Sequence, residues 1–163
     1  MSLAGLDETG NMDKPKVLFL CTGNSARSQM AEAFLRAYAG EHFEVHSAGL
    51  EPKGYILPEV LTVMKERGLD MEEQSSKSVS DYLGKTIFSY TITVCGDAEE
   101  NCPTVFLSMG KHEHWPLDDP AKFQGGVAEK LAVTRRIRDQ IEQRILQWLE
   151  EQEVQPAVLR QSK

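Results

Sequence analysis

Between residues 16 and 151 short apolar runs alternate with longer stretches whose apolar positions recur every three or four residues. Lys16–Leu20 (KVLFL) is unbroken apolar sequence after its lysine, the pattern of a strand buried on both faces. Ser28–Ala39 then carries Met30, Phe34 and Tyr38 at helical spacing, with Gly40 as its stop. Phe43–Ser47 (FEVHS) alternates with the period of a strand and closes at Ala48-Gly49. Pro58–Arg67 opens with proline in its first turn and ends before Gly68, which predicts a helix. Val79–Leu83 predicts one further helical turn, and Tyr90–Val94 (YTITV) a strand ending at Cys95. Lys111–Trp115 has a fainter strand pattern. Val127–Glu151 is a long amphipathic helix, with Val127, Leu131, Ile137, Ile141, Ile145 and Trp148 or Leu149 on one face. The order βαβαβ(β)α predicts an α/β fold with a parallel sheet between helices.

The ends depart from this pattern. Residues 1–15 are polar and glycine-containing, which predicts a flexible N-terminal extension, and 152–163 predict a frayed tail after a single domain over 16–151. One domain also suits a chain of 163 residues. A net charge of −7 argues against a general nucleic-acid surface. No apolar run approaches the ~18 residues of a membrane span, and the first residues lack the apolar core of a signal peptide. Three cysteines, an odd number in such a chain, imply reduced and reactive thiols in the cytoplasm rather than a disulfide framework.

The reactive thiol has a specific address. VLFLCTGNSARSQM runs from the first strand through a tight loop into the first helix, the end of a parallel sheet where ligands bind. The small residues Thr22, Gly23, Ser25 and Ala26, with Asn24, let the backbone curl and turn its N–H groups inward as an anion nest. The helix N-terminus adds its dipole, and Arg27 adds a planar fork matched to two oxygens of a tetrahedral oxyanion. Residues 22–27 are thus a cradle for phosphate, sulfate or arsenate. Cys21 lies at its mouth as a nucleophile, its thiol expected to titrate low beside these donors, with Ser28 donating a hydrogen bond to the thiolate.

CTGNSARS resembles the active-site loop of the low-molecular-weight protein tyrosine phosphatases, and the wider pattern resembles the related thioredoxin-coupled arsenate reductases. The likeness extends from about Lys16 to Glu150 through LCTGNSARSQMAEAF, VHSAGLE, TVCGDAEENCP, HEHWPLDDPA and the final helix. It implies a three-layer fold, a four-stranded parallel sheet flanked by helices, and reduction of arsenate to arsenite by three redox cysteines. No metal and no cofactor is implied.

The loop alone does not separate reductase from phosphatase; VCGDAEENC does. Cys95 ends a strand that can lie beside the strand ending at Cys21, and neighbouring strands are ~4.8 Å apart. A phosphatase has no use for Cys95 and Cys102, whereas a reductase needs two further thiols to pass oxidation outward. The alternative of a zinc site with His112 and His114 meets a C-x6-C-x9-H-x-H spacing unlike that of zinc sites. In both related families the aspartate directly before proline protonates the leaving oxygen, which in LDDPA is Asp119 rather than Asp118. The implied sequence is attack by Cys21, then a Cys21–Cys95 disulfide, then Cys95–Cys102, which thioredoxin reduces. Two positions depart from some relatives: Ala26 replaces a cysteine outside the relay, and Lys77 stands where an aspartate helps bind potassium beside Asn24, Glu32 and Ser47. The alternatives are a phosphatase of the same fold, an anion or thiol sensor without turnover, and a reductase fed by glutathione or mycothiol.

Overall fold

The computed structural model describes residues 14–107 and 109–159. Residues 1–13 of the expected extension and 160–163 of the expected tail lie outside the described residues. Four strands, β1 (Lys16–Cys21), β2 (Glu44–Gly49), β3 (Tyr90–Thr93) and β4 (Lys111–His114), form one sheet in the order β2-β1-β3-β4. All three pairings are parallel. The helices are α1 (Arg27–Ala39), α2 (Pro58–Glu66), α3 (Gly96–Glu100), α4 (Thr104–Leu107) and α5 (Val127–Glu151), with single 3-10 turns at Val79–Asp81 and Pro120–Lys122.

The register explains the continuous apolar run of β1. It pairs on both sides, and Val17, Leu18, Phe19 and Leu20 have no exposed surface. A strand covered by helices on both faces has no polar side to keep. α1 and α5 pack together, and their contact contains a buried carboxylate. Glu142 accepts from Tyr38 Oη at 2.7 Å and from Arg67 Nη2 at 2.5 Å, so its charge is matched where it is buried. The apolar stripe of α5 begins later than its sequence predicts. Val127 is 77% exposed, and full burial starts at Thr134 and runs through Ile137, Ile141, Ile145 and Trp148.

β4 is an edge strand of polar sequence, KHEH, held by side chains rather than by an apolar face. Glu113 accepts from Trp115 Nε1 at 3.1 Å, Trp148 Nε1 at 2.8 Å and Arg144 Nη2 at 3.2 Å, tying the strand to α5. Among the described residues, the polar segment after α5, expected to fray, bonds back to the body, beginning with Gln152 Oε1, which accepts from Tyr90 Oη at 3.1 Å. Val154 N–H donates to Leu149 O at 2.9 Å, and Ala157 N–H donates to Tyr38 O at 2.8 Å. Among the described residues no helix is long and apolar enough to cross a membrane.

Candidate active site

β1 ends at Cys21 and α1 begins at Arg27, so the loop between them stands at the carboxyl end of the central strands. Every carbonyl from residue 21 to 26 is occupied on the outer side. Cys21 O accepts from Leu50 N at 3.1 Å, Thr22 O from Glu51 N at 2.8 Å, Gly23 O from Lys53 N at 2.9 Å and Ser25 O from Leu57 N at 3.0 Å. Asn24 O accepts from Gln29 Nε2 at 3.1 Å, and Ala26 O from Met30 N at 2.9 Å. In a trans peptide the N–H of the next residue points opposite to the carbonyl, and no cis bond interrupts the described chain. The amides of residues 23–26 are therefore turned away from those partners, and the Asn24 N–H meets Cys21 Sγ at 3.1 Å.

Asn24 is the hub of this loop. Its φ is +47°, left-handed backbone that asparagine tolerates better than most side chains. The buried amide is fully partnered: Nδ2 donates to Ser28 Oγ at 2.8 Å and Ser47 Oγ at 3.0 Å, while Oδ1 accepts from Gln29 Nε2 at 2.8 Å and Lys77 N at 2.7 Å. Beneath it, Gly49 leaves no room for a side chain, since a Cβ there would meet Thr22 O at 2.6 Å.

Cys21 Sγ lies 2.9 Å from Ser28 Oγ and accepts from Asn24 N–H at 3.1 Å. Because Ser28 Oγ receives its own proton donor from Asn24, its hydroxyl hydrogen is free for the sulfur. The thiol itself departs from expectation. Burial pushes the Cys21 thiol up from its ordinary value; the Ser28 hydroxyl, the Asn24 N–H and the Arg27 charge pull it down without overcoming that, and Cys95 adds a smaller upward push. In the free loop Cys21 is a thiol poised among thiolate-stabilising donors.

Arg27 holds the opposite wall. Its Nη1 donates to Leu117 O at 3.0 Å and its Nη2 lies 3.3 Å from Asp119 Oδ2. The other oxygen of Asp119 accepts from Ala121 N–H at 2.9 Å and caps the 3-10 turn that follows. Asp118, by contrast, is exposed. The loop, Cys95, Asp119, Lys53 and Lys122 line one cleft of about 890 Å³.

All three cysteines are free and buried. Cys95 follows β3 and shares the cleft with Cys21, its Sγ 3.4 Å from Thr22 Oγ1 and accepting from Ala98 N–H at 3.4 Å. Cys102 lies beyond α3, with Pro103 O as its neighbour at 3.8 Å. Burial, and then the Glu99 carboxylate, push its thiol up to about 11. His112 and His114 turn towards Glu99 rather than towards the thiols.

The sequence places Lys77 near a cation pocket, and its ammonium enters it. Nζ lies 2.8 Å from Ser75 O, 3.3 Å from Glu32 Oε1 and 3.4 Å from Ser47 Oγ. Arg36 takes the other oxygen of Glu32 at 2.6 Å. The buried carboxylate is thus neutralised twice by side chains, and a bound potassium ion does not fit this donor set. The sequence gives no sign of Gln29, whose amide bridges Asn24 and Ser75 O, or of Gln74, which braces Gln29 in turn. Both are ordinary polar residues until the fold brings them under the loop.

Residues 16–158 match the family model of the low molecular weight phosphotyrosine protein phosphatase. An arsenate reductase of Bacillus licheniformis is 43% identical over 140 residues, covering 85% of this chain and 98% of that protein. A solved arsenate reductase in the phosphate-binding state superposes with a TM-score of 0.71 at 29% identity, over 84% of this chain and 98% of that one. A thioredoxin-dependent arsenate reductase of Corynebacterium glutamicum gives 0.65 at 31% identity, over 86% of this chain and 62% of that one. A loop of inward amides carrying cysteine, arginine and serine on this sheet, together with these likenesses, establishes that the chain belongs to the low molecular weight phosphotyrosine protein phosphatase family, among its arsenate reductase members.

Proposed function

We propose that the protein reduces arsenate to arsenite, with Cys21 as nucleophile, Cys95 and Cys102 as the relay that carries the oxidation outward, and thioredoxin as the dithiol that reduces the last disulfide. The observation that carries this reading is three free thiols, two of which, Cys21 and Cys95, line one cleft with the anion loop. The thioredoxin dependence of the Corynebacterium relative supports the choice of reductant. A reducing cytoplasm suits three unpaired thiols.

Arsenate enters the loop as a dianion, held by the amides of residues 23–26, the start of α1 and Arg27. The dianion accepts the proton that Cys21 retains, and the thiolate attacks arsenic. Asp119, its ion pair with Arg27 weakened as the guanidinium takes up the substrate oxygens, accepts a proton from solvent and passes it to the departing oxygen, which leaves as water. Cys95 as thiolate then attacks Cys21 Sγ. The As–S pair stays on arsenic, arsenic(V) becomes arsenic(III), and arsenite leaves from a Cys21–Cys95 disulfide. Cys102 attacks Cys95, Cys21 departs as a thiolate into the Ser28 and Asn24 donors, and Cys95–Cys102 remains for reduction.

The test is an assay with thioredoxin, thioredoxin reductase and NADPH. Arsenate should drive continuous NADPH oxidation, while p-nitrophenyl phosphate should turn over at a far lower kcat/KM. The reverse ranking would return the chain to the phosphatase reading. The same assay checks Lys77. Rates in potassium chloride and sodium chloride at equal ionic strength should coincide, because the ammonium already neutralises Glu32. A potassium-specific activation of the unmodified protein would exclude that substitution of side chain for ion.

A further inference from the structure

Between Cys95 and Cys102, Glu99 forms a polar cluster with the end of the sheet. This residue sits in α3, its N–H donating to Cys95 O at 3.1 Å. Its carboxylate reaches off the helix to the end of the sheet. It accepts from Thr93 Oγ1 on β3 and from His112 Nε2 on β4, the latter at 2.8 Å and 2.9 Å to its two oxygens. His114 Nδ1 lies 3.7 Å from the same carboxylate and 2.9 Å from Thr93 Oγ1. His112 Nδ1 is buried without a partner among the described residues, so a proton there would be left unsatisfied. The ring therefore carries its proton on Nε2 and donates it to Glu99. Burial pushes Glu99 up, but the Thr93 and His112 hydrogen bonds and the two imidazoles outweigh it, and the carboxyl stays below its ordinary range.

α3 separates the two outer thiols of the relay. A helix rises ~1.5 Å per residue, so helical backbone from Cys95 to Cys102 would hold their Cα atoms ~10.5 Å apart, against the ~4.4–6.8 Å of a disulfide. α3 (Gly96–Glu100) makes up most of that span, and unwinding it is the route by which Cys102 reaches Cys95. Among the described residues, Ala98 N–H to Cys95 Sγ and Glu99 to the sheet oppose this, besides the packing of Ala98 in the core. The first is lost when Cys95 Sγ is drawn into a bond with Cys21. The second is left.

We propose that the Glu99 clasp on Thr93 and His112, with His114 beside it, is the positioning device of the relay, holding α3 wound and Cys102 away from Cys95 until Cys95 is oxidised. This rests on the three-cysteine relay proposed above. Glu99 also faces Cys102 with a negative charge, so the same carboxylate that withholds the thiol disfavours its thiolate. The titratable groups around the clasp are Glu99 from α3, His112 and His114 from β4, and Cys102 beyond α3. When the clasp opens, Cys102 gives its proton to water and its thiolate attacks Cys95 Sγ. The Cys21–Cys95 bond breaks with its electron pair on Cys21, and the exchange is redox-neutral overall.

Glu99→Gln keeps the side-chain volume and removes the charge; Glu99→Ala removes the clasp. Alkylation of the reduced proteins with iodoacetamide, mapped by peptide, should show the Cys102 pH profile moved to lower pH in both variants. Labelling at pH 8 should be about threefold to tenfold faster, as thiolate fraction dictates, with the Cys21 profile unmoved. After one equivalent of arsenate and an acid quench, the Cys21–Cys95 species should be shorter-lived in both variants than in the unmodified protein. If Glu99→Ala loses its fold by circular dichroism, Glu99→Gln carries the test. Absence of a Cys95–Cys102 disulfide in the unmodified protein would sink the relay itself. Should that bond form while the Cys102 profile and the intermediate's lifetime stay unchanged in the variants, the relay stands and the clasp is overturned.

Discussion

Cys102→Ser should convert one equivalent of arsenate and then stop, with Cys21 and Cys95 joined. In the reduced protein Cys21 and Cys95 share a cleft, with Cys95 Sγ 3.4 Å from Oγ1 of Thr22, the residue next to Cys21. The first disulfide is therefore within reach of a chain that lacks Cys102. The second is not, because serine cannot attack a disulfide, and Cys21 remains trapped. Multiple turnover should fall below roughly a hundredth of the unmodified rate, in line with losing a group that acts as one unit with its partners. Cys95→Ser should stall one step earlier, without that bond, and Cys21→Ser should not react at all. Non-reducing peptide mapping after one equivalent of arsenate distinguishes the three states directly. Repeated thioredoxin-driven turnover by Cys102→Ser would break the relay and favour a glutathione-type reductase.

The elements that position this chemistry were legible where one physical period dominated the sequence. KVLFL reads as a central strand because both of its faces are covered, and Met30, Phe34 and Tyr38 mark α1 because all three are buried. The loop was legible because few stretches combine an apolar strand end, a thiol and an arginine at the head of a helix. Where many weak contacts replace one pattern, the signal in the sequence is faint. β4 is a polar tetrapeptide whose place depends on Glu113 bonding two tryptophans and on His112 bonding Glu99. α3 and α4 cover five and four residues, too few for a helical period to show. Lys77 beside Glu32 was legible only through the family resemblance, whereas Asn24 in left-handed backbone depends on partners distant in the chain. The upward shift of Cys21 has the same origin. The donors of the loop can be read from residue types, whereas the burial that outweighs them is a property of the whole fold.

Arg27→Lys should lower kcat/KM for arsenate by about a hundredfold to a thousandfold, the range found when one preorganised oxyanion donor is removed. The guanidinium has two tasks in different directions. One nitrogen anchors the side chain on Leu117 O at 3.0 Å, and the other faces Asp119 at 3.3 Å across the cleft. On substrate binding the fork offers two parallel N–H groups to two oxygens while its plane stays fixed by packing, since the residue is only 9% exposed. A lysine ammonium keeps the charge but is a point, and shortened to that point it cannot hold Leu117 O and two substrate oxygens together. The loss should fall on formation of the Cys21–Cys95 disulfide in a single turnover. The steps after that bond form no longer involve the oxyanion, so reduction of preformed Cys95–Cys102 by thioredoxin should proceed at the unmodified rate. A lysine variant within threefold of the unmodified kcat/KM would mean that charge alone, and not the planar fork, is what the loop requires of position 27.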